Sequence, residues 1–456
     1  MTALWISDEL EAATLGKATC AFSASGLSID TRSLKQGDLF VALKGENRDG
    51  HEFLRAAFEA KAAAALVAQR PADLPANAAL LVAADTLRAL EDIARASRLR
   101  TNAKIVAVTG SAGKTTTKEI LRRVLGALGN THCSAASFNN HWGVPLSLAA
   151  MPRQAQFGVF EIGMNHFGEI RSLVGLVRPH VALITTIAPA HLEYFGSCDA
   201  IADAKSEIFE GLAPGGAALV PSDSPQAQRL VARAKQAGVS RIFTFGFDQE
   251  SDARLIEIDE SESSVHIKAD ILGKPVEARI GAPGAHMALN ALGALATVAL
   301  LDGDIFNAAA ALKDFTPLKG RGERIVVDGV QVIDESYNAN PASMAAALAL
   351  LGNAKSRRVA VLGDMLELGA DALRIHAELA GPVEEAQVDL VFASGPLMKA
   401  LWDALPAKRR GAYARSSAEL MPSVVAALRD GDSVLVKGSN GSKMALIVEA
   451  LKARRA

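Results

Sequence analysis

Lys114 and Thr115 stand in the string Gly110-Ser-Ala-Gly-Lys-Thr-Thr-Thr-Lys-Glu119, and those residue types in that order can grip phosphate. Backbone N–H groups of Gly110, Ser111, Ala112 and Gly113 would converge on an anion. Lys114 would add a point charge, and Thr115 could ligate Mg²⁺. A lysine at a helix start is opposed by the helix dipole unless an anion is present, so a plain glycine turn explains the string poorly. The usual phosphate loop has a glycine five residues before its Gly-Lys-[Ser/Thr]. Here that place holds Val108, which leaves a shorter Gly-x-x-Gly-Lys-Thr.

Other polar groups follow apolar runs in the same manner. Glu161 ends such a run and is either a metal-holding carboxylate or a cap for the next helix. His191 follows another run, and Lys205 lies on the helix beyond it; read alone, each is more ordinary as a solvated polar residue. His286 and Asn290 are four apart and share a helix face. Asp334 ends a run before the polar turn Glu335-Ser-Tyr-Asn-Ala-Asn-Pro341. Leu362-Gly-Asp-Met-Leu-Glu-Leu-Gly369 and Leu435-Val-Lys-Gly-Ser-Asn-Gly-Ser442 repeat the theme. Such clusters on two sheets predict a cleft between domains, as a two-substrate enzyme would use.

The elements that must position these groups read as α/β. The run before Gly110 is a strand, and Ile120, Leu121, Val124, Leu125 and Leu128 give the following helix an apolar face that stops at Gly129. Runs at 157–162, 181–187, 217–220 and 242–245 read as strands of a sheet buried on both faces. Shorter alternating strands at 250–280 suggest an antiparallel addition. Segment 317–322 reads as a linker. Runs at 330–333, 359–362, 390–393 and 433–436 alternate with helices in a second doubly wound sheet. The expected organisation is therefore three domains, 1–101, 102–317 and 318–456. With 456 residues and half of them apolar, each can hold a core. The 48 basic and 50 acidic residues nearly cancel, which speaks against a nucleic-acid surface. No apolar stretch is long enough to span a membrane. Three scattered cysteines and an N-terminus without a basic start or apolar core lead to the expectation of a cytoplasmic protein.

Together these motifs resemble the Mur ligases, ATP-dependent amide-forming enzymes of peptidoglycan precursor synthesis. The shortened loop is that family's version, shared with folylpolyglutamate synthases. Asp30-Thr-Arg, the segment from Gly37 to Gly45 and Asp49-Gly-His-Glu-Phe53 resemble the uridine-nucleotide domain of the later ligases in the series. The Tyr337-Asn-Ala-Asn-Pro, Leu362–Gly369 and Val436–Ser442 strings resemble the member that joins D-alanyl-D-alanine to the UDP-N-acetylmuramoyl tripeptide. The Asp-Asn-Pro-Arg string typical of the preceding ligase does not occur.

The resemblance implies ATP and Mg²⁺ as cofactors, with Lys114, His191 and Lys205 catalytic. Thr115, Glu161, His191 and Lys205, the last as a carbamate, would surround the metal. Residues 110–116, His286, Asn290, Arg321 and Asp334 would hold the nucleotide, Glu335 competing with Asp334 for the ribose. Asp30, Thr31, Arg32, Lys44, Gly45, Asp49, His51, Asn139, Asn140, Tyr337, Asn338 and Asn340 would meet the other substrates, and the enzyme would be a monomer. Two rivals share parts of the pattern: a folylpolyglutamate synthase, which lacks the first domain seen here, and a P-loop kinase or nucleotide-gated binding protein.

Overall fold

The unbroken apolar runs form parallel strands buried on both faces. In the computed structural model, which describes residues 3–45, 47–72, 74–135 and 137–453, the strand Lys104–Thr109 lies inside a nine-stranded sheet. It pairs in parallel with Phe157–Glu161 on one side and Val181–Ile184 on the other. Its side chains alternate between two cores. Ile105 and Ala107 join Phe160 and Ile184 in one, while Val106 and Val108 join Ile120, Leu121, Val124 and Leu125 of the helix Lys114–Gly126 in the other. The helix Ala285–Leu300 packs into that second core, which brings its N-terminus beside the phosphate loop. Because the chain leaves the central strand toward neighbours on both sides, a crevice opens at the carboxyl ends.

The outer part of this sheet continues through Ala217–Pro221 and Arg241–Gly246. It then reaches the antiparallel strands Ala253–Glu260, Val265–Ile271 and Lys274–Ile280, the addition expected at 250–280. One strand is shorter than its apolar run suggests. It ends at Ile184, and Thr185 and Thr186 leave the sheet to brace the phosphate loop, where Ser111 N donates to Thr186 O at 2.8 Å.

The N-terminal unit carries a five-stranded sheet in the order Lys17–Ala18, Leu80–Val82, Ala64–Val67, Asp38–Val41, Gly26–Ser28. Its helix Thr86–Leu99 packs on the helix Gly143–Ala149, and Trp5 Nε1 donates to Ala149 O at 2.9 Å. The C-terminal unit is a six-stranded sheet in the order Glu323–Val327, Val330–Glu335, Ser433–Lys437, Arg358–Gly363, Leu390–Ser394, Arg410–Ala414. Only Glu323–Val327 is antiparallel. Insertion of the last strand between 330–335 and 358–363 sets a second switch point, where Lys437 Nζ donates to Glu335 Oε2 at 3.1 Å. The chain is thus a three-domain α/β protein. No helix among the described residues is long and apolar enough to cross a membrane.

Candidate functional site

The phosphate loop needs two backbone conformations that side chains resist. Gly110 has φ +153° and Gly113 φ +79°. A Cβ at Gly110 would overlap the Thr185 hydroxyl, and one at Gly113 would lie 2.7 Å from Asn290 Oδ1. Thr185 Oγ1 donates to Ala112 O at 2.5 Å, so the loop is held from the side as well as by its own helix. Ser111, Ala112, Gly113, Lys114, Thr115 and Thr116 line a cavity of about 580 Å³. Gly110 supplies the turn behind them.

Charge is arranged unusually around this cavity. Lys114 Nζ donates to Gly110 O at 2.7 Å, and burial, only partly offset by Glu161, pushes its pKa down. Lys205 is 1% exposed and makes no hydrogen bond or ion pair among the described residues. Burial first, then the Lys114 charge, pull its pKa well below the usual lysine value. Two lysines whose charged forms are disfavoured by burial, and in Lys205 by the other's charge, leave room for an anion between them. Glu161 is buried and accepts from Thr115 Oγ1 and Asn139 Nδ2, each at 2.7 Å. One carboxylate beside one threonine hydroxyl is a hard oxygen pair that suits Mg²⁺, which fills its other positions with water and phosphate. No three histidine, cysteine or acidic side chains cluster as a complete metal cage among the described residues.

His191 also lines the cavity, in a left-handed conformation with φ +59°. Its Nδ1 lies 2.5 Å from Glu367 Oε2 of the C-terminal domain, a close polar contact poorly aligned for a hydrogen bond. The imidazole holds the Glu367 carboxyl below the ordinary carboxylate range. His286 and Asn290 face the cavity from one side of their helix, and burial lowers the pKa of His286. Pro221, Asp223 and Phe245 complete this end of the wall.

The C-terminal domain closes the other side. Asn340 caps the helix Pro341–Gly352 through Oδ1, which accepts Ser343 N at 2.9 Å, and its Nδ2 donates to Ser111 O at 3.1 Å. Arg321 stacks 3.8 Å from the Tyr337 ring centre and donates to Ser137 Oγ at 3.1 Å. Tyr337, Asn338 and Glu335 line the cavity, and buried Lys437 donates to Glu335 Oε2 and Asn338 O. Asp334 does not reach it. Fully buried, it accepts from Gly320 N, Ser336 N and Ser336 Oγ. The expected direct cofactor contact is therefore corrected: Asp334 anchors the turn that carries Arg321, and Glu335 is the carboxylate on the wall.

A second cavity of about 710 Å³ opens in the N-terminal domain. Asp30, Thr31, Arg32, Lys44 and Gly45 line it, with Arg48 and with His141 and Trp142 of the central domain. Asp49 and His51 stand behind this wall. Asp49 Oδ1 accepts His51 N at 3.0 Å and His51 Nε2 accepts Ala68 N at 2.9 Å, so the pair braces the turn. Asn140 is likewise structural, its Oδ1 accepting Gly143 N at 2.9 Å. Loop 137–142 joins the two cavities, with Ser137 and Asn139 in the first and His141 and Trp142 in the second. Thr185, Thr186, Phe245, Glu367 and Lys437 escaped the sequence reading as individual site residues. Thr185, Thr186 and Phe245 signal themselves only by position just past, or at the end of, an apolar strand, whereas Glu367 and Lys437 lie within the Leu362–Gly369 and Leu435–Ser442 strings.

A phosphate loop at the switch point of one parallel sheet, roofed by a second doubly wound domain, defines a P-loop nucleotide-binding protein with an interdomain cleft. Family comparisons are specific about which. "Mur ligase family, catalytic domain" matches residues 23–106, "Mur ligase middle domain" residues 108–298, and "Mur ligase, glutamate ligase domain" residues 320–440. UDP-N-acetylmuramoyl-tripeptide–D-alanyl-D-alanine ligase of Rickettsia prowazekii is 32% identical over 98% of this chain and 99% of its own length. The crystal structure of MurF from Acinetobacter baumannii superposes with a TM-score of 0.87, at 32% identity, over 98% of this chain and 99% of that one. MurF from Thermotoga maritima, solved in complex with ADP, gives a TM-score of 0.79 at 25% identity over 94% and 98%. This chain belongs to the Mur ligase family.

Proposed function

We propose that the protein joins D-alanyl-D-alanine to the UDP-N-acetylmuramoyl tripeptide, using ATP and releasing ADP and phosphate. Loop 137–142 carries this reading. It lines both a basic N-terminal cavity and the phosphate-loop cavity, so one extended donor can lie with its nucleotide in the first and its peptide end in the second. The relatives named above support the substrate assignment. Domain boundaries near 101 and 317 accompany the proposal. So does a cytoplasmic monomer, since one chain builds both cavities.

In the proposed reaction, an oxygen of the tripeptide's terminal carboxylate attacks the γ-phosphorus of ATP, and the bond to the ADP oxygen breaks. The amine of D-alanyl-D-alanine then attacks the acyl phosphate. It loses a proton as the amide forms, and phosphate leaves. Lys114 and the phosphate-loop N–H groups stabilise charge that spreads onto the transferring group, and Arg321 adds a second cation from the docked domain. His286 and Asn290 flank the nucleotide base, Glu335 accepts from its ribose, and the polar residues Tyr337, Asn338 and Asn340 face the acceptor side. Thr115 and Glu161, with His191, would hold Mg²⁺, which supplies neutralising charge at the phosphates. Lys205 fits the same group as a carbamate: burial favours its neutral amine, which adds to CO₂ and loses one proton, leaving an anion beside Lys114. Docking of the C-terminal domain excludes water from the acyl phosphate.

The test is ADP release in the presence of the UDP-muramoyl tripeptide, D-alanyl-D-alanine, or both. Release that requires both, with a mass gain matching the dipeptide less water, is expected. Release with the donor and a hydroxyl acceptor, or with neither, would overturn the proposal.

A further inference from the structure

We propose that Glu367 is a positioning residue that makes docking of the C-terminal domain part of the metal site, by fixing the ring of His191. This rests on the reading of His191 as a metal ligand. The contact crosses domains: Nδ1 of His191 lies 2.5 Å from Glu367 Oε2, and Glu193 N donates to Glu367 O at 3.2 Å. Leu192, between them, packs against the C-terminal core. With Nδ1 against a carboxylate, Nε2 is the nitrogen left for a ligand. A carboxylate on the far side of a liganding imidazole holds the orientation of its ring.

The segment carrying Glu367 is built to hold it still. Met365 N donates to Nε2 of the buried His376 at 2.9 Å, and Leu366 N donates to Ser439 Oγ at 2.9 Å. Ser439 N returns to Asp364 O at 2.9 Å, while Met365 and Leu368 are buried on either side. Glu367 itself has φ +63°, a conformation that glutamate rarely adopts, and His191 has φ +59°. Gly369, at φ +66°, runs so close to the facing turn that a Cβ there would sit 3.3 Å from Glu193 Cα. Two left-handed non-glycine residues meeting across a domain boundary are over-determined for a merely spacing contact. Strain of this kind concentrates where side chains must be aimed. Docking is also registered at the phosphate loop by Asn340, so the nucleotide loop and the metal histidine are both set by the same rigid body.

Mn²⁺ binding to the enzyme with a non-hydrolysable ATP analogue, followed by electron paramagnetic resonance, tests the role without turnover. Calorimetry of the analogue without metal runs beside it. Glu367→Ala should raise the Mn²⁺ half-saturation by roughly tenfold or more, in line with losses at such supporting partners. Glu367→Gln, which keeps an acceptor, should lose less. Metal-free nucleotide affinity should stay within about twofold in both, as should the behaviour of Glu378→Gln, an exposed control paired with Arg374. Half-saturation unchanged in Glu367→Ala, or an equal loss of metal-free affinity, would overturn the role of Glu367 while leaving the reaction standing. Absence of metal-dependent nucleotide binding in the unaltered enzyme would overturn both.

Discussion

Replacing Lys114 with methionine separates catalysis from folding. The ammonium donates to Gly110 O at 2.7 Å, and a hydrogen bond to a charged group is worth about 1.5–3 kcal/mol. Glu161 adds an attraction, and against both stand the lysine's desolvation, the largest effect, and the neighbouring charge of Arg321, which together leave its pKa lowered. Desolvating an ion costs several kcal/mol when burial is complete and less where the group opens onto a cavity, as here. The two effects nearly cancel. Lys114→Met, similar in length and apolar, should therefore leave the melting midpoint of the ligand-free protein within about 4 °C, taking about 1 kcal/mol as the imbalance. Turnover has no such compensation. Removing one preorganised donor from a developing anion costs about 10²–10³ in rate, or 2.7–4 kcal/mol. Differential scanning fluorimetry and a coupled ADP assay read the two quantities. Normal turnover would refute the role of Lys114. A fall in stability large enough to explain the lost turnover would refute the claim that the lysine awaits an anion.

Asn340→Ala should cost about 1 kcal/mol through the lost helix cap, whereas Asn340→Asp keeps the cap but sets a carboxylate against Ser111 O. Both should weaken ADP binding measured by calorimetry, and unchanged affinity in both would contradict the coupling between domain docking and the phosphate loop. Lys44→Ala should weaken UDP binding roughly tenfold while leaving ADP affinity intact, since Lys44 lines only the N-terminal cavity; equal losses for both nucleotides would contradict two separate sites. The pH dependence of stability follows from His376, whose Nε2 accepts Met365 N and whose pKa burial pushes below its ordinary 6.5. Below pH 6.5 the unfolded chain takes up a proton that the folded chain refuses, so stability falls as pH drops through that window. The melting midpoint should drop between pH 7.5 and 5.5, and less so in His376→Gln; equal drops would remove His376 from the account.

The sequence was most legible where backbone physics leaves little choice. Gly110 and Gly113 announce positive φ, and a strand feeding Gly-Lys-Thr leaves little doubt about what the loop faces. Strand positions in both doubly wound sheets followed from apolar runs, because parallel strands covered by helices lack the alternation that blurs other elements. The edge strands Thr131–Cys133, Glu323–Val327 and Arg410–Ala414 escaped notice, since their residues are mostly half-buried or exposed, as a loop's also would be. Side-chain direction was harder to read. Asp334 and Glu335 are adjacent, and only strand register shows that the first turns into the protein and the second onto the cavity. Asp49 and His51 looked like ligand contacts, yet they satisfy each other and a backbone N–H. Contacts across domains, such as His191 with Glu367, join residues far apart in sequence and leave no local pattern at all.

Acyl phosphate formation is the central claim, and oxygen isotope transfer tests it most directly. The tripeptide donor is labelled with ¹⁸O in its terminal carboxylate and turned over with ATP and D-alanyl-D-alanine, and the released phosphate is analysed by mass spectrometry. The proposed reaction predicts one ¹⁸O in each phosphate, because the oxygen that attacked phosphorus leaves with it. Unlabelled phosphate, with all the label retained in the peptide, would contradict carboxylate activation and with it the reading of the whole cleft.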